Sequence, residues 1–226
     1  MKSGGITLRI LFLINFAGKA GTEKYVENLV RIFSSAGNEC HFAYNIAGEL
    51  SEKMAERGIP CLQLDMGGSP LAAARRLAEY CRGNKIEVIH AQYPRENIIA
   101  LLSLRRFSAP HVVYTNHLTI RSGLKWRLLN RIFTPKDHRI IAVCREGRDI
   151  MVENGVCPER IEVIYNGVEP EKHPVRDLSV RPELGIGEGE FMLSILARYA
   201  PEKGLFFLLD SLAELKKLTD RPFRCV

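Results

Sequence analysis

The sequence predicts an α/β protein in which a mainly parallel sheet carries helices on both faces, followed by the start of a second domain of the same kind. Three observations carry this reading. Strand-like and helix-like segments alternate from the N-terminus onwards, the pattern of successive βαβ units. The strand-like runs are almost continuously apolar, as expected of strands covered on both faces. A composition of 46% hydrophobic and 26% charged residues in 226 belongs to a globular chain.

Leu8–Ile14 is the first such run, and a glycine-containing turn follows it. The next helix repeats Val26, Leu29, Val30 and Phe33 at i, i+3, i+4 and i+7 and stops at Gly37. Glu39–Asn45 is the second strand. Gly67-Gly68-Ser69-Pro70 turns the chain into a helix with Ser69 as N-cap and Pro70 in the first turn. Its predicted apolar face is Leu71, Ala74, Leu77, Ala78 and Cys81. Ile86–His90 is a short strand, with a helix around Asn97–Leu104. His111–Thr115, Arg139–Cys144 and Arg160–Tyr165 complete the strand set. Ligands of such sheets sit beyond the carboxyl ends of the strands, where Asn15, His90, His117 and Asn166 fall.

Residues 1–167 thus read as one domain. Residues 168–190 hold Pro170, Pro174, Pro182, Gly185, Gly187 and Gly189 among charged side chains and read as a linker. Residues 191–226 supply a buried strand at Phe191–Ala197 and a helix with Leu205, Leu208, Leu209, Leu212 and Leu215 on one stripe. Phe223–Val226 looks like the opening of a further strand. The expectation is a second domain cut short after its first βα unit.

The formal charge of +6 is concentrated. Residues 101–140 carry eight Lys or Arg (Arg105, Arg106, Arg121, Lys125, Arg127, Arg131, Lys136, Arg139) and one acid, Asp137. Eight minus one is +7, which leaves −1 for the rest. No aromatic-interleaved basic strand accompanies the patch, so nucleic acid is not an expected partner. The six cysteines lie far apart without metal-ligand spacing; they are expected to be reduced and mostly buried. Leu8–Phe16 is too short and too polar to span a bilayer or to serve as a leader, so the expected compartment is the cytoplasm.

Four features bear on chemistry. The turn Asn15–Glu23 places Gly18 and Gly21 at a helix N-terminus, where backbone N–H groups approach anions. It matches neither the dinucleotide fingerprint nor the phosphate loop, and on spacing alone a structural turn fits equally well. Arg198 and Lys203 bracket a turn between a strand and a helix N-terminus, a geometry for phosphate, though two solvated cations would look the same. His90 closes a strand and reads as a core or a functional histidine; His117 lies just past a strand end, facing the predicted cleft. Residues 122–133 form a basic amphipathic helix with Leu124, Leu128, Leu129, Ile132 and Phe133 on one face and Arg127 and Arg131 on the other. Such a helix suits an anionic bilayer or ordinary packing on a sheet.

In order along the chain, Gly18–Glu23, Val88–Gln92, Tyr114–His117, Ile140–Cys144, Ile161–Val168 and Arg198–Gly204 resemble the motifs of the family 4 glycosyltransferases. These are retaining enzymes of the GT-B fold, built of two Rossmann-like domains. The resemblance implies an acceptor-side N-terminal domain and a C-terminal domain for a nucleotide-diphosphate sugar, which is the donor substrate. It implies no metal and no cofactor. Arg198 and Lys203, with Gly18 and Gly21, would hold the donor diphosphate, and His117 would contact the transferred sugar as the catalytic residue. His90, Gln92 and Asn116 would lie on the acceptor side, facing a glycan or lipid-linked acceptor of the cell envelope. Lys125, Arg127 and Arg131 would face the inner surface of the membrane.

Two positions depart from the family pattern: Gln92 stands where many members carry a second histidine, and Cys144 where serine is common. The chain stops before the position of the family's E-x7-E segment, whose carboxylates bind the donor, so the 226-residue chain is expected to transfer no sugar by itself. Two other readings are a GT-B sugar-nucleotide epimerase, which would consume donor without acceptor, and a non-catalytic domain that docks through its basic helix.

Overall fold

The computed structural model describes residues 7–105, 110–167, 180–197 and 199–226. Its contacts divide the chain into two units, Met1–Val168 and Glu169–Val226.

The first unit is built on a seven-stranded sheet of order β3-β2-β1-β4-β5-β6-β7. The strands are β1 (Arg9–Phe16), β2 (Glu39–Ile46), β3 (Cys61–Gln63), β4 (Val88–Ala91), β5 (His111–Asn116), β6 (Arg139–Ala142) and β7 (Ile161–Val163). Every neighbouring pair is parallel. The helices are α1 (Gly21–Ser35), α2 (Glu49–Glu56), α3 (Pro70–Gly83), α4 (Pro94–Ser103), α5 (Leu124–Phe133) and α6 (Arg145–Glu153).

β1 shows why an unbroken apolar run marks a central strand. Leu11 and Leu13 enter a core with Ala74, Leu77, Cys81 and Ile99 of α3 and α4. Ile10, Phe12 and Ile14 enter the opposite one with Val26 and Val30 of α1 and Leu50 and Met54 of α2. Because strand side chains alternate, both faces need apolar residues. The sheet order reverses between β1 and β4, and the crevice at such a switch point is where ligands of open α/β sheets bind.

Several expectations are corrected. α2 and β3 have no counterpart in the sequence reading: β3 is a three-residue edge strand, too short for an alternation to register. Leu71 is exposed at the start of α3, and Ala73 takes its place in the core. The Ser69 hydroxyl does accept from the Ala72 N–H at 3.4 Å. Only Cys40 and Cys81 are buried; Cys61 and Cys225 are exposed and Cys144 and Cys157 are half-buried, all of them free. Cys144 is the N-cap of α6, its Sγ accepting from Gly147 N at 3.2 Å, so sulfur performs the capping task that serine would.

α5 is turned differently from the expected packing. Leu129 and Phe133 are half-buried, but Leu124, Leu128 and Ile132 are exposed. The helix is fastened on a polar side: buried Asn130 donates to Asn154 O at 2.9 Å, and Gly155 lies so close that a Cβ there would meet Arg127 O at 2.6 Å. At 100° per residue Arg127 and Arg131 then flank the exposed apolar stripe on one edge and Lys125 on the other, instead of lying opposite it.

In the second unit, β8 (Phe191–Leu193) pairs in parallel with β9 (Phe223–Cys225). The helices are α7 (Val180–Glu183) and α8 (Leu205–Leu218). Of the stretch read as a linker, 168–179 lie outside the described residues. Residues 180–190 form α7 and a turn in which Arg181 donates to Glu190 O and Ile186 is buried. The strand expected to be buried at Phe191–Ala197 is a strand at Phe191–Leu193, with one further backbone bond from Ile195 N to Val226 O, and Phe191 and Leu196 are exposed.

Candidate functional site

The loops after β1, β4 and β5 converge at the switch point, and each is held by the fold beneath it. After β1, Ala17 is pinned on both sides: its N–H donates to Ile46 O and its carbonyl accepts from Leu50 N, each at 2.9 Å. Gly48 makes this approach possible, since a Cβ there would stand 2.7 Å from Ala17 O. Burial pushes the Glu96 carboxyl up to about 7 even though it accepts backbone hydrogen bonds from its own N–H and from Asn15. That contact ties the start of α4 to the end of β1.

The glycine turn enters α1 through Ala20, an extended N-cap residue with no side-chain cap, so no capping side chain occupies the first-turn N–H groups. Gly21 has open space where a Cβ would project, while the Phe16 ring covers that side of Gly18. A depression of about 280 Å3 beside the turn is lined by Gly18, Lys19, Glu23, Glu49 and Lys53 among others.

His117 follows β5 and is half-buried. Its Nε2 lies 3.1 Å from Gln92 Oε1, and its ring meets Tyr25 edge-on at 5.0 Å between centroids, with Tyr93 at 5.8 Å. Tyr93 in turn shares a hydrogen bond of 2.8 Å with the Thr22 hydroxyl of α1. His90 packs against Phe12 and Tyr25, its Nε2 lying 2.7 Å from Thr115 Oγ1. Burial lowers the His117 imidazole to about 4. Burial, with His117 next to it, lowers His90 to about 3. Both rings are therefore neutral near pH 7.

Of the residues predicted to act together, the structure gathers His90, Gln92 and His117, with Asn116 next to them in the chain, while Gly18 lines the depression with Glu49 and Lys53. They do not play equivalent parts. Gln92 is fully buried, as is His90 apart from a few per cent of its surface. Asn116 spends its amide on Leu118, donating to its carbonyl at 2.9 Å and accepting from its N–H at 3.3 Å, which shapes the loop carrying His117. Tyr25, Thr22, Tyr93 and Thr115 were not legible in the sequence. The one signal was that Thr22 and Tyr25 lie in the first turns of a helix opening at the glycine turn. Lys203 belongs to the second unit, exposed in a 3-10 turn before α8, and Arg198 lies outside the described residues. Among the described residues no group of three or more His, Cys, Asp or Glu is placed to hold a metal ion, and no helix is long and apolar enough to cross a membrane.

A neutral imidazole held between two tyrosine rings, next to helix-terminal N–H groups with no side-chain cap, is suited to a ligand with both hydroxyl and anionic groups. The fold has close structural relatives. A glycosyltransferase from Rickettsia africae ESF-5 superposes with a TM-score of 0.78 at 17% identity, covering 97% of this chain and 59% of that one. Anabaena Alr3699/HepE in complex with UDP gives 0.77 at 18% identity, over 92% of this chain and 58% of its own. The same Anabaena protein in complex with UDP-glucose gives 0.76 at 17%, over 96% and 59%. The chain thus spans about three fifths of the length of these structures, whose likeness concerns the fold. No curated protein matches the sequence. A family model does: Glycosyltransferase Family 4 matches residues 20–172, well over half of the chain, which therefore belongs to that family.

Proposed function

We propose that the chain is the acceptor-side domain, with the opening of the donor-side domain, of a retaining, metal-independent glycosyltransferase. It would move a sugar from a nucleotide diphosphate to a hydroxyl of a glycan or lipid-linked acceptor. The observation that carries this reading is the convergence of His117 and the uncapped start of α1 at the switch point of a Family 4 domain.

In this reading the N–H groups around Gly18 and Gly21 face the donor phosphates, and Arg198 and Lys203 neutralise the charge that grows on the departing nucleotide diphosphate. His117, neutral and clamped by two tyrosines, meets the transferred sugar. His90 and Gln92 act from beneath the surface by holding that ring, and Asn116 by shaping its loop. Uridine nucleotides are the first donors to try, because the Anabaena neighbour carries UDP and UDP-glucose.

Titration of the chain with UDP and with UDP-glucose, followed by the amide resonances of Gly18 and Gly21 and the ring of His117, tests this. Both ligands should move the glycines, and only UDP-glucose should move His117. Unmoved resonances at all three positions in millimolar ligand reject it.

The stripe Leu124, Leu128, Ile132, exposed and flanked by Lys125, Arg127 and Arg131, supports an anionic membrane surface as the partner that presents a lipid-linked acceptor. Each basic residue near such a surface contributes roughly 1 kcal/mol. Arg127→Glu with Arg131→Glu should therefore weaken pelleting with phosphatidylserine vesicles by more than about tenfold. Undiminished pelleting removes the membrane from the reading.

A further inference from the structure

Gln92 makes two hydrogen bonds that leave no freedom in the orientation of its amide. Its Nε2 donates to the main-chain carbonyl of His90 at 3.1 Å. A carbonyl only accepts, so the amide nitrogen must face it and the amide oxygen must face the other way. That oxygen, Oε1, lies 3.1 Å from His117 Nε2. It too only accepts, so the proton of the neutral imidazole resides on Nε2. With the whole Gln92 side chain buried, no water competes for either bond.

The rest of the environment holds the ring in place without altering its proton. Tyr25 and Tyr93 meet it through their rings, and the two hydroxyls are directed elsewhere, to Thr115 Oγ1 at 3.5 Å and Thr22 Oγ1 at 2.8 Å. His90 Nε2 is likewise engaged by Thr115. Among the described residues His117 Nδ1 has no hydrogen-bond partner, and it is not one of the buried unpartnered atoms there, so this lone pair is the face the ring offers to a ligand.

We infer that Gln92 is a positioning residue: it fixes His117 as the Nε2–H tautomer and thereby makes Nδ1 an obligate acceptor, so that the ligand group meeting it must be a donor such as a sugar hydroxyl. A carboxylate or carbonyl at that position would be rejected. The inference rests on the reading of His117 as the sugar-facing side chain, and it narrows the substrate class to sugars that bring a hydroxyl there.

Long-range 1H–15N spectra of the histidine rings in the full 226-residue chain test it. In the wild type, between pH 6 and 8, the His117 ring should show a protonated Nε2 and a bare Nδ1. Gln92→Leu, which fills the space without an acceptor, should give a mixture of the two tautomers. Gln92→Glu keeps an acceptor and adds charge, so Nε2–H should persist while His117 titrates at least one pH unit above the wild type. A residue that only fills space would leave the tautomer populations of the Leu variant unchanged. A proton on Nδ1 in the wild type overturns the inference, as does a Leu variant with wild-type populations. Should the Leu variant not fold, the wild-type tautomer still decides. Addition of UDP-glucose then separates the two claims: if Nε2–H is seen but Nδ1 does not respond to saturating sugar nucleotide, the sugar-facing role of His117 is overturned and the role of Gln92 stands.

Discussion

In the first unit Leu13, in the middle of β1, is 0% exposed, with a strand on each side and a helical layer on each face. In the second unit Phe191, at the start of β8, is 54% exposed, and Phe206 and Phe207 of α8 are 68% and 78% exposed. The local sequences are alike: an apolar strand, a turn, then a helix with regularly spaced apolar residues. What differs is the number of neighbours. A strand with one partner and a helix beside a two-stranded sheet have most of their apolar surface left over, whatever their own hydropathy. Burial belongs to the layer arrangement; the strand supplies only the capacity for it.

The largest expected effect compares equal side chains in the two settings. Leu13→Ala should cost about 3 kcal/mol or more through lost burial and a cavity. Leu209→Ala, on an exposed part of α8, should stay within about 0.5 kcal/mol. Chemical denaturation measures both, and equal losses would break the comparison.

The next separates the units by pH. Asp137 of the first unit is buried, and burial pushes its carboxyl up to about 8 although Asn97 Nδ2 donates to it at 2.9 Å. Its other oxygen has no partner, nor do Glu96 Oε1 and Asn97 Oδ1. Among the described residues of the second unit no acid is buried. The folded chain thus holds a proton on Asp137 that the unfolded chain releases near pH 4, and the stability it contributes falls as pH rises from about 4 to about 8. His90 and His117 act oppositely below about pH 6.5, since the folded state keeps them neutral and stability falls as they are forced to charge. Asp137→Asn removes the first slope, so its gain over the wild type should be a few kcal/mol larger at pH 8 than at pH 5. A pH-independent difference would refute a protonated Asp137.

The smallest effect compares two glycines with positive φ. Gly155 has φ +81° and a Cβ would collide with Arg127 O; Gly189 has φ +77° and open space around it. Gly189→Ala should cost about 1 kcal/mol from backbone strain alone. Gly155→Ala adds the displacement of α5 and should cost about 1–3 kcal/mol more. Equal costs would mean that α5 yields freely.

Much of the first unit was legible in advance, because βαβ alternation and two-faced apolar runs follow from backbone periodicity. Its strands fall within a few residues of their expected positions, and Ser69 caps α3 as its sequence dictates. The short β3 and α2 escaped, since three and eight residues carry too little period. His117 and the glycine turn were legible as strand-end residues. Tyr25 and Tyr93 were not, because which side chains meet across α1, α4 and β5 depends on how helices lie on the sheet.

The sequence alone determined the order of the longer elements, the parallel sheet, the family and the basic helix. Each of these is a local pattern or an ordered string of them. Tertiary structure decided the rest: that α5 turns Leu124, Leu128 and Ile132 outward because Asn130 and Gly155 bind its other side, and that Gln92 lies between the His90 carbonyl and the His117 ring. The reason is the same in both cases. A hydrogen bond between residues 24 or 25 positions apart is set by where two strands or helices come to rest, and no window of sequence contains that.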